Sequence, residues 1–161
     1  MKIIKPDSIE QVSEGLTIFL AGSIEMGTAE DWQSKTALLF KDYDLTIFNP
    51  RRESWDSSWV QEEKNPEFRS QVNWEMNMLE LSDIVFMNFD ENTKSPITLL
   101  ELGYMATYDP TKLIVTCPKN FWRRGNVEIV CSRMGIPLFT NFEEGAASLI
   151  SRVEKMSRLG F

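Results

Sequence analysis

A chain of 161 residues, 42% apolar and carrying a net charge of −7, is long enough to bury one core without disulfides or metals and too acidic to offer the basic face that duplex nucleic acid needs. It contains no histidine, which excludes Ser-His-Asp and Cys-His catalysis and every His-based zinc site, so acid–base and nucleophilic work falls to carboxylates, Tyr, Lys, Cys or Ser. Its two cysteines make no disulfide framework and fit a reducing cytoplasm; no apolar run reaches membrane length, and MKIIKPDSIE lacks a secretory h-region.

The first predicted strand is LTIFLA (16–21). It runs into Ala21-Gly22-Ser23-Ile24-Glu25-Met26-Gly27 and a predicted helix over 28–42. Small residues there let backbone approach a ligand, and a following helix N-terminus favours anions. Many strand-to-helix turns share that composition, and the G-x-G-x-x-G dinucleotide fingerprint is absent. LTIF (45–48) is the second strand. Loop 49–65, NPRRESWDSSWVQEEKN, is long enough for a lid or binding loop. Its Arg51-Arg52 pair, like Arg123-Arg124, suits one phosphate group. Trp55 and Trp59 either stack on a base or pack beneath the loop or at a subunit interface.

Helix 66–81 carries Gln71, Trp74 and Glu75; Trp74, like Trp122 further on, is expected in the core or an interface. The third strand, DIVFMNF (83–89), opens on Asp83 at the far sheet edge, where a structural role is expected. Asn88 and Asp90 fall at the opposite edge and suit sugar or base ligands. Ser95-Pro96 reads as an N-cap and first helical residue for helix 96–108. Glu101 follows, among Ile97, Leu99, Leu100, Leu102 and Met105. It is either the solvated stripe of an amphipathic helix or a buried carboxylate with a task. KLIVTC (112–117) is the fourth strand, and Cys117 at its exit is either a thiolate nucleophile or, as free cysteines usually are, a buried apolar residue. Helix 126–134, strand IPLF (136–139) and helix 142–158 complete the chain.

Apolar strands alternating with helices predict an α/β domain spanning 1–161. Its five parallel strands form a doubly wound, three-layer, flavodoxin-like or Rossmann-like sheet of order 2-1-3-4-5. Ligands in such sheets bind outside the carboxyl edge, where strand order reverses. Here that crevice lies between the first and third strands. Glu75 sits eight positions before Asp83, which at roughly 1.5 Å per residue lifts it about 12 Å toward that edge. Glu75 and Glu101 can thus converge on one crevice. Paired carboxylates suit glycoside transfer, where one attacks the sugar and another group handles the proton. The bland alternative for Glu75 is a solvated helix face shared with Glu80.

IFLAGSI (18–24), EMNMLELSDIVFMNF (75–89) and SPITLLELGYMA (95–106), in that order, resemble the nucleoside 2-deoxyribosyltransferase superfamily, which includes 2′-deoxynucleoside 5′-monophosphate N-glycosidases. The resemblance implies an enzyme on a nucleoside or nucleotide that needs no metal or organic cofactor. Glu101 would be the nucleophile, Glu75 the assisting acid, and Ser23 and Ser95 substrate-binding residues, beside Gly22, Asn88 and Asp90, which their place at the crevice edge already suggests as ligands. Ser23 and Ser95 match the serines that hold a 5′-phosphate in the nucleotide-cleaving branch. Asn126 falls near the residue that a neighbouring subunit lends, which implies a homodimer or higher homo-oligomer. This chain departs in three places: Phe19 stands where a Tyr is common, Ser95 where the transferase branch has Asp, and Glu75 where Asp is usual. A nucleotide-binding or sensing module of the same fold, without turnover, is the alternative that the Phe19 departure keeps open.

Overall fold

The computed structural model describes residues 1–6, 8, 15–24, 31–52 and 60–160. Six strands form one all-parallel sheet: β1 (Lys2–Ile4), β2 (Leu16–Gly22), β3 (Leu45–Phe48), β4 (Ile84–Asn88), β5 (Leu113–Thr116) and β6 (Leu138–Phe139). Their order is β1-β3-β2-β4-β5-β6. The five predicted strands keep the expected order, and a sixth is added at the β3 edge. Only three residues long and bounded by Lys2 and Lys5, β1 carries no strand pattern of its own. It exists because Lys2, Ile3 and Ile4 pair in register with Thr46, Ile47 and Phe48.

The helices are α1 (Trp32–Leu39), α2 (Pro66–Leu81), α3 (Pro96–Tyr108), α4 (Arg124–Met134) and α5 (Phe142–Arg158). Alternate strand residues point to opposite faces, and two cores result. Phe19, Phe48, Val85, Met87 and Val115 pack with Leu79, Leu102, Met105 and Val127 of α2, α3 and α4. Ile18, Leu20, Ile47, Phe86 and Ile114 pack with Trp32, Phe40, Leu149 and Val153 on the α1 and α5 side. With both faces covered, the strands need near-continuous apolar sequence, and β2 to β5 have it. The expected three layers are therefore present.

Local chemistry sets the helix bounds. Asn65 accepts from the backbone N–H groups of Glu67 and Phe68, both at 3.1 Å, and Pro66 opens α2. Asn141 accepts from Glu144 N at 2.9 Å to start α5. Gly135, in the left-handed region at φ 67°, ends α4. The first helix starts at Trp32 rather than at 28, and residues 28–30 lie outside the described set. Helix α4 starts two residues before the expected position and β6 shrinks to two residues. No helix among the described residues is long and apolar enough to cross a membrane.

Candidate functional site

Strands β2 and β4 are neighbours, with Gly22 opposite Asn88 at their carboxyl ends. The chain leaves β2 for α1 on one face and β4 for α3 on the other, so the crevice opens at this pair. Gly22 (φ 151°) makes the close approach possible. A Cβ there would lie 2.3 Å from Asn88 O and 2.8 Å from Trp32. Ser23 N donates to Asn88 O at 3.1 Å, and Trp32 Nε1 donates to Ser23 O at 3.0 Å.

Three buried hydroxyls meet at this point. Ser23 Oγ lies 2.5 Å from Ser95 Oγ and 2.8 Å from Thr93 Oγ1, and Thr93 and Ser95 are 2.8 Å apart. Asp90 N donates to Ser23 Oγ at 3.1 Å. Ser95 does precede α3, but not as the side-chain cap its sequence suggests. Its backbone is left-handed (φ 47°, ψ 51°) and its hydroxyl makes no capping bond. Tertiary contact with Ser23 and Thr93 has overridden the local capping preference. Thr93 was not legible as a site residue; the one available signal was its place two residues before Ser95.

Glu101, in the second turn of α3, is only 7% exposed. The solvated-stripe reading is thus overturned: α3 turns its carboxylate inward while Ile97, Leu100 and Tyr108 face out. Burial pushes Glu101 up to about 8, and the negative charge of Glu75 adds to the rise. Glu75 is half-buried on α2. Burial raises it too, opposed by a hydrogen bond from Gln71 and by the charge of Arg52. Gln71 Nε2 donates to Glu75 Oε1 at 2.6 Å and to Pro50 O at 3.3 Å. Arg52 Nε donates to Gln71 Oε1. Glu75 thus lies near enough for its charge to act on Glu101, and burial raises both carboxyl groups.

Other expected residues divide clearly. Asn88 is buried, and its Oδ1 accepts from Thr116 Oγ1, tying β4 to β5. Asp90 is half-buried at the crevice rim, its Oδ1 taking Asn92 N at 2.7 Å. Phe19 is buried beside Trp74, ring centres 6.2 Å apart. Asp83 accepts from Thr17 N and Oγ1 at 2.8 and 2.7 Å, a structural role as expected. Cys117 is buried, with its thiol pushed up to about 12 by that burial, which removes it as a thiolate. Trp122 is not a core residue: its indole is exposed, donates to Lys94 O at 3.0 Å, and stacks under Arg123. Trp55, Trp59 and Glu25 to Gly27 lie outside the described residues.

Within one chain Asn126 does not join the carboxylates. It is exposed in the first turn of α4 and lines a separate cleft of about 290 Å³ with Leu99, Gly103, Arg123 and Val130. No curated protein matches this chain. The nucleoside 2-deoxyribosyltransferase-like family matches residues 15–121, which hold the hydroxyl cluster and both coupled carboxylates. The chain belongs to the nucleoside 2-deoxyribosyltransferase-like family.

Proposed function

We propose that this protein is a retaining N-glycosyl enzyme acting on nucleosides or nucleotides, with Glu101 as nucleophile and Glu75 as proton carrier. The observation that carries the reading is the buried Glu101, held mostly protonated at neutral pH and coupled to a second carboxylate. In the free protein the pair holds one proton, mainly on Glu101. When substrate enters, that proton passes to Glu75, and the bare Glu101 carboxylate attacks C1′. The bond from C1′ to the base nitrogen breaks, its electron pair stays with the base, and Glu75 returns the proton to the leaving group. The glycosyl-Glu101 ester is then resolved by a second base or by water. No metal or organic cofactor enters the sequence of steps. Ser23, just after β2, and Thr93 and Ser95, just before α3, suit a 5′-phosphate or a ribose hydroxyl.

The test is incubation with deoxynucleosides and with their 5′-monophosphates, followed by chromatography for free or exchanged base. Glu101→Ala is expected to lower base release by about three orders of magnitude or more while circular dichroism stays unchanged. Wild-type rates in a folded Glu101→Ala variant would remove the nucleophile assignment. Tight ligand binding with no base release from the wild type would favour the non-catalytic sensing module instead.

A further inference from the structure

The side chain of Gln71 is buried between three partners that leave its amide only one orientation. Arginine is a donor only, so the Arg52 guanidinium fixes Gln71 Oε1 toward itself. The Pro50 carbonyl is an acceptor only, so Gln71 Nε2 must face it. That same Nε2 reaches Glu75 Oε1 at 2.6 Å. The lone pair of Oε1 that accepts this bond is taken, which makes Oε2 the freer oxygen for a proton.

We propose that Arg52 and Gln71 are positioning residues for Glu75, locking Oε1 as a permanent hydrogen-bond acceptor and leaving Oε2 as the atom that takes and returns the proton. The proposal rests on the glycosyl-transfer reading and deepens it. Neither residue touches the reacting atoms in this scheme; both act through Glu75. The relay also links the segment after β3 to the chemistry, because Pro50 and Arg52 come from it. Among the described residues, the cation Arg52 from that segment and the uncharged Gln71 on its own helix act on Glu75, and Glu75 acts in turn on the carboxyl Glu101 from α3. Arg52 and Gln71 favour the charged form of Glu75. A charged Glu75 in turn keeps the proton on Glu101. The relay thereby lowers the first ionisation of the pair while the second, which starts from a charged Glu75, stays in place, and so extends on its acid side the pH range in which the pair holds one proton.

The test is a carboxyl-¹³C glutamate NMR titration of the wild type, Gln71→Leu and Arg52→Gln, assigned with Glu75→Gln and Glu101→Gln. Loss of the relay is expected to raise the Glu75 titration by about one pH unit in Gln71→Leu and less in Arg52→Gln, without lowering that of Glu101, which gives up its proton beside an already charged Glu75. The pH profile of kcat/KM for base release is expected to narrow from its acid side, and Arg52→Lys, which keeps a donor-only cation, to restore part of its width. Gln71 is buried, so the half-buried Arg52 supplies the second variant if Gln71→Leu does not fold. An unmoved Glu75 titration in folded Arg52→Gln and Gln71→Leu, with an active wild type, overturns the relay and leaves the glycosyl-transfer reading standing. Shifted titrations in a wild type that cleaves no substrate support the relay and overturn the reaction.

Discussion

A carboxyl group held at about 8 in the fold and about 4.5 when unfolded makes a definite statement about stability. Between those values the native state binds more protons than the unfolded chain, so stability falls as pH rises. Below about pH 4.5 Glu101 is neutral in both states and costs nothing. Above pH 8 it is charged in both, and the whole penalty is present. The slope is at most about 1.4 kcal/mol per pH unit. Glu101→Gln removes the titration, so the stability of the variant relative to wild type is expected to climb from pH 5 to pH 8 by on the order of 2–4 kcal/mol. Any constant cost of the buried amide adds an offset but no slope. Thermal melts of both proteins across that range check this. A difference that stays flat with pH would mean that Glu101 is ionised throughout. The same substitution is expected to abolish base release, so the residue that weakens the fold at neutral pH is the one the reaction needs.

At the scale of elements, the start of α3 carries the clearest conflict between local and tertiary demands. Ser95 is held left-handed at φ 47°, a region costing a non-glycine residue about 1–2 kcal/mol. Glycine would relieve that strain but leave Ser23 and Thr93 without their third hydroxyl. Ser95→Gly is therefore expected to shift stability by less than about 1 kcal/mol while erasing any preference for a 5′-phosphate. Melting curves and the ratio of KM values with and without the phosphate report the two effects separately. A large loss of stability with the preference intact would make Ser95 a structural residue only. The same region shows what sequence can and cannot convey. Helices 66–81, 96–108 and 142–158 were legible to the residue because Asn65-Pro66, Ser95-Pro96 and Asn141 mark their starts. Strands β2 to β5 were legible as apolar runs, and their order followed from alternation with helices. The left-handed Ser95, the Thr93 hydroxyl, the Arg52–Gln71 relay and β1 were not. Each depends on a partner far along the chain, and nothing in a local pattern encodes it. Glu101 stands between these cases. Its apolar neighbours flagged it, but they surround the helix, so the pattern could not tell inside from outside.

For the whole molecule, α3 has an outer face with no account within one chain. Ile97 and Leu100 are 60% and 63% exposed, and Tyr108, Trp122 and Ile129 extend the apolar surface across α3 and α4. Gly103 sits in mid-helix, where glycine costs roughly 1 kcal/mol against alanine. Among the described residues nothing lies within 4 Å of where its Cβ would be. A close approach by a second copy explains both features, and a two-fold axis there would bring the α3–α4 clefts together. We expect at least a dimer, with the partner subunit's Asn126 reaching toward the crevice. Light scattering is expected to report two or more copies for the wild type. Gly103→Arg, at a position where an added Cβ meets nothing within 4 Å among the described residues, is expected to give a folded monomer with reduced activity. Mixing inactive Glu101→Ala with inactive Asn126→Ala sharpens the test. If each site takes one residue from each chain, every hybrid dimer holds one intact site. A random mixture then recovers up to about a quarter of all sites. Recovery at that level fixes Asn126 as a residue lent across the interface. No recovery despite proven subunit exchange would mean that each chain completes its own site, and the cleft between α3 and α4 would then have to be explained without catalysis.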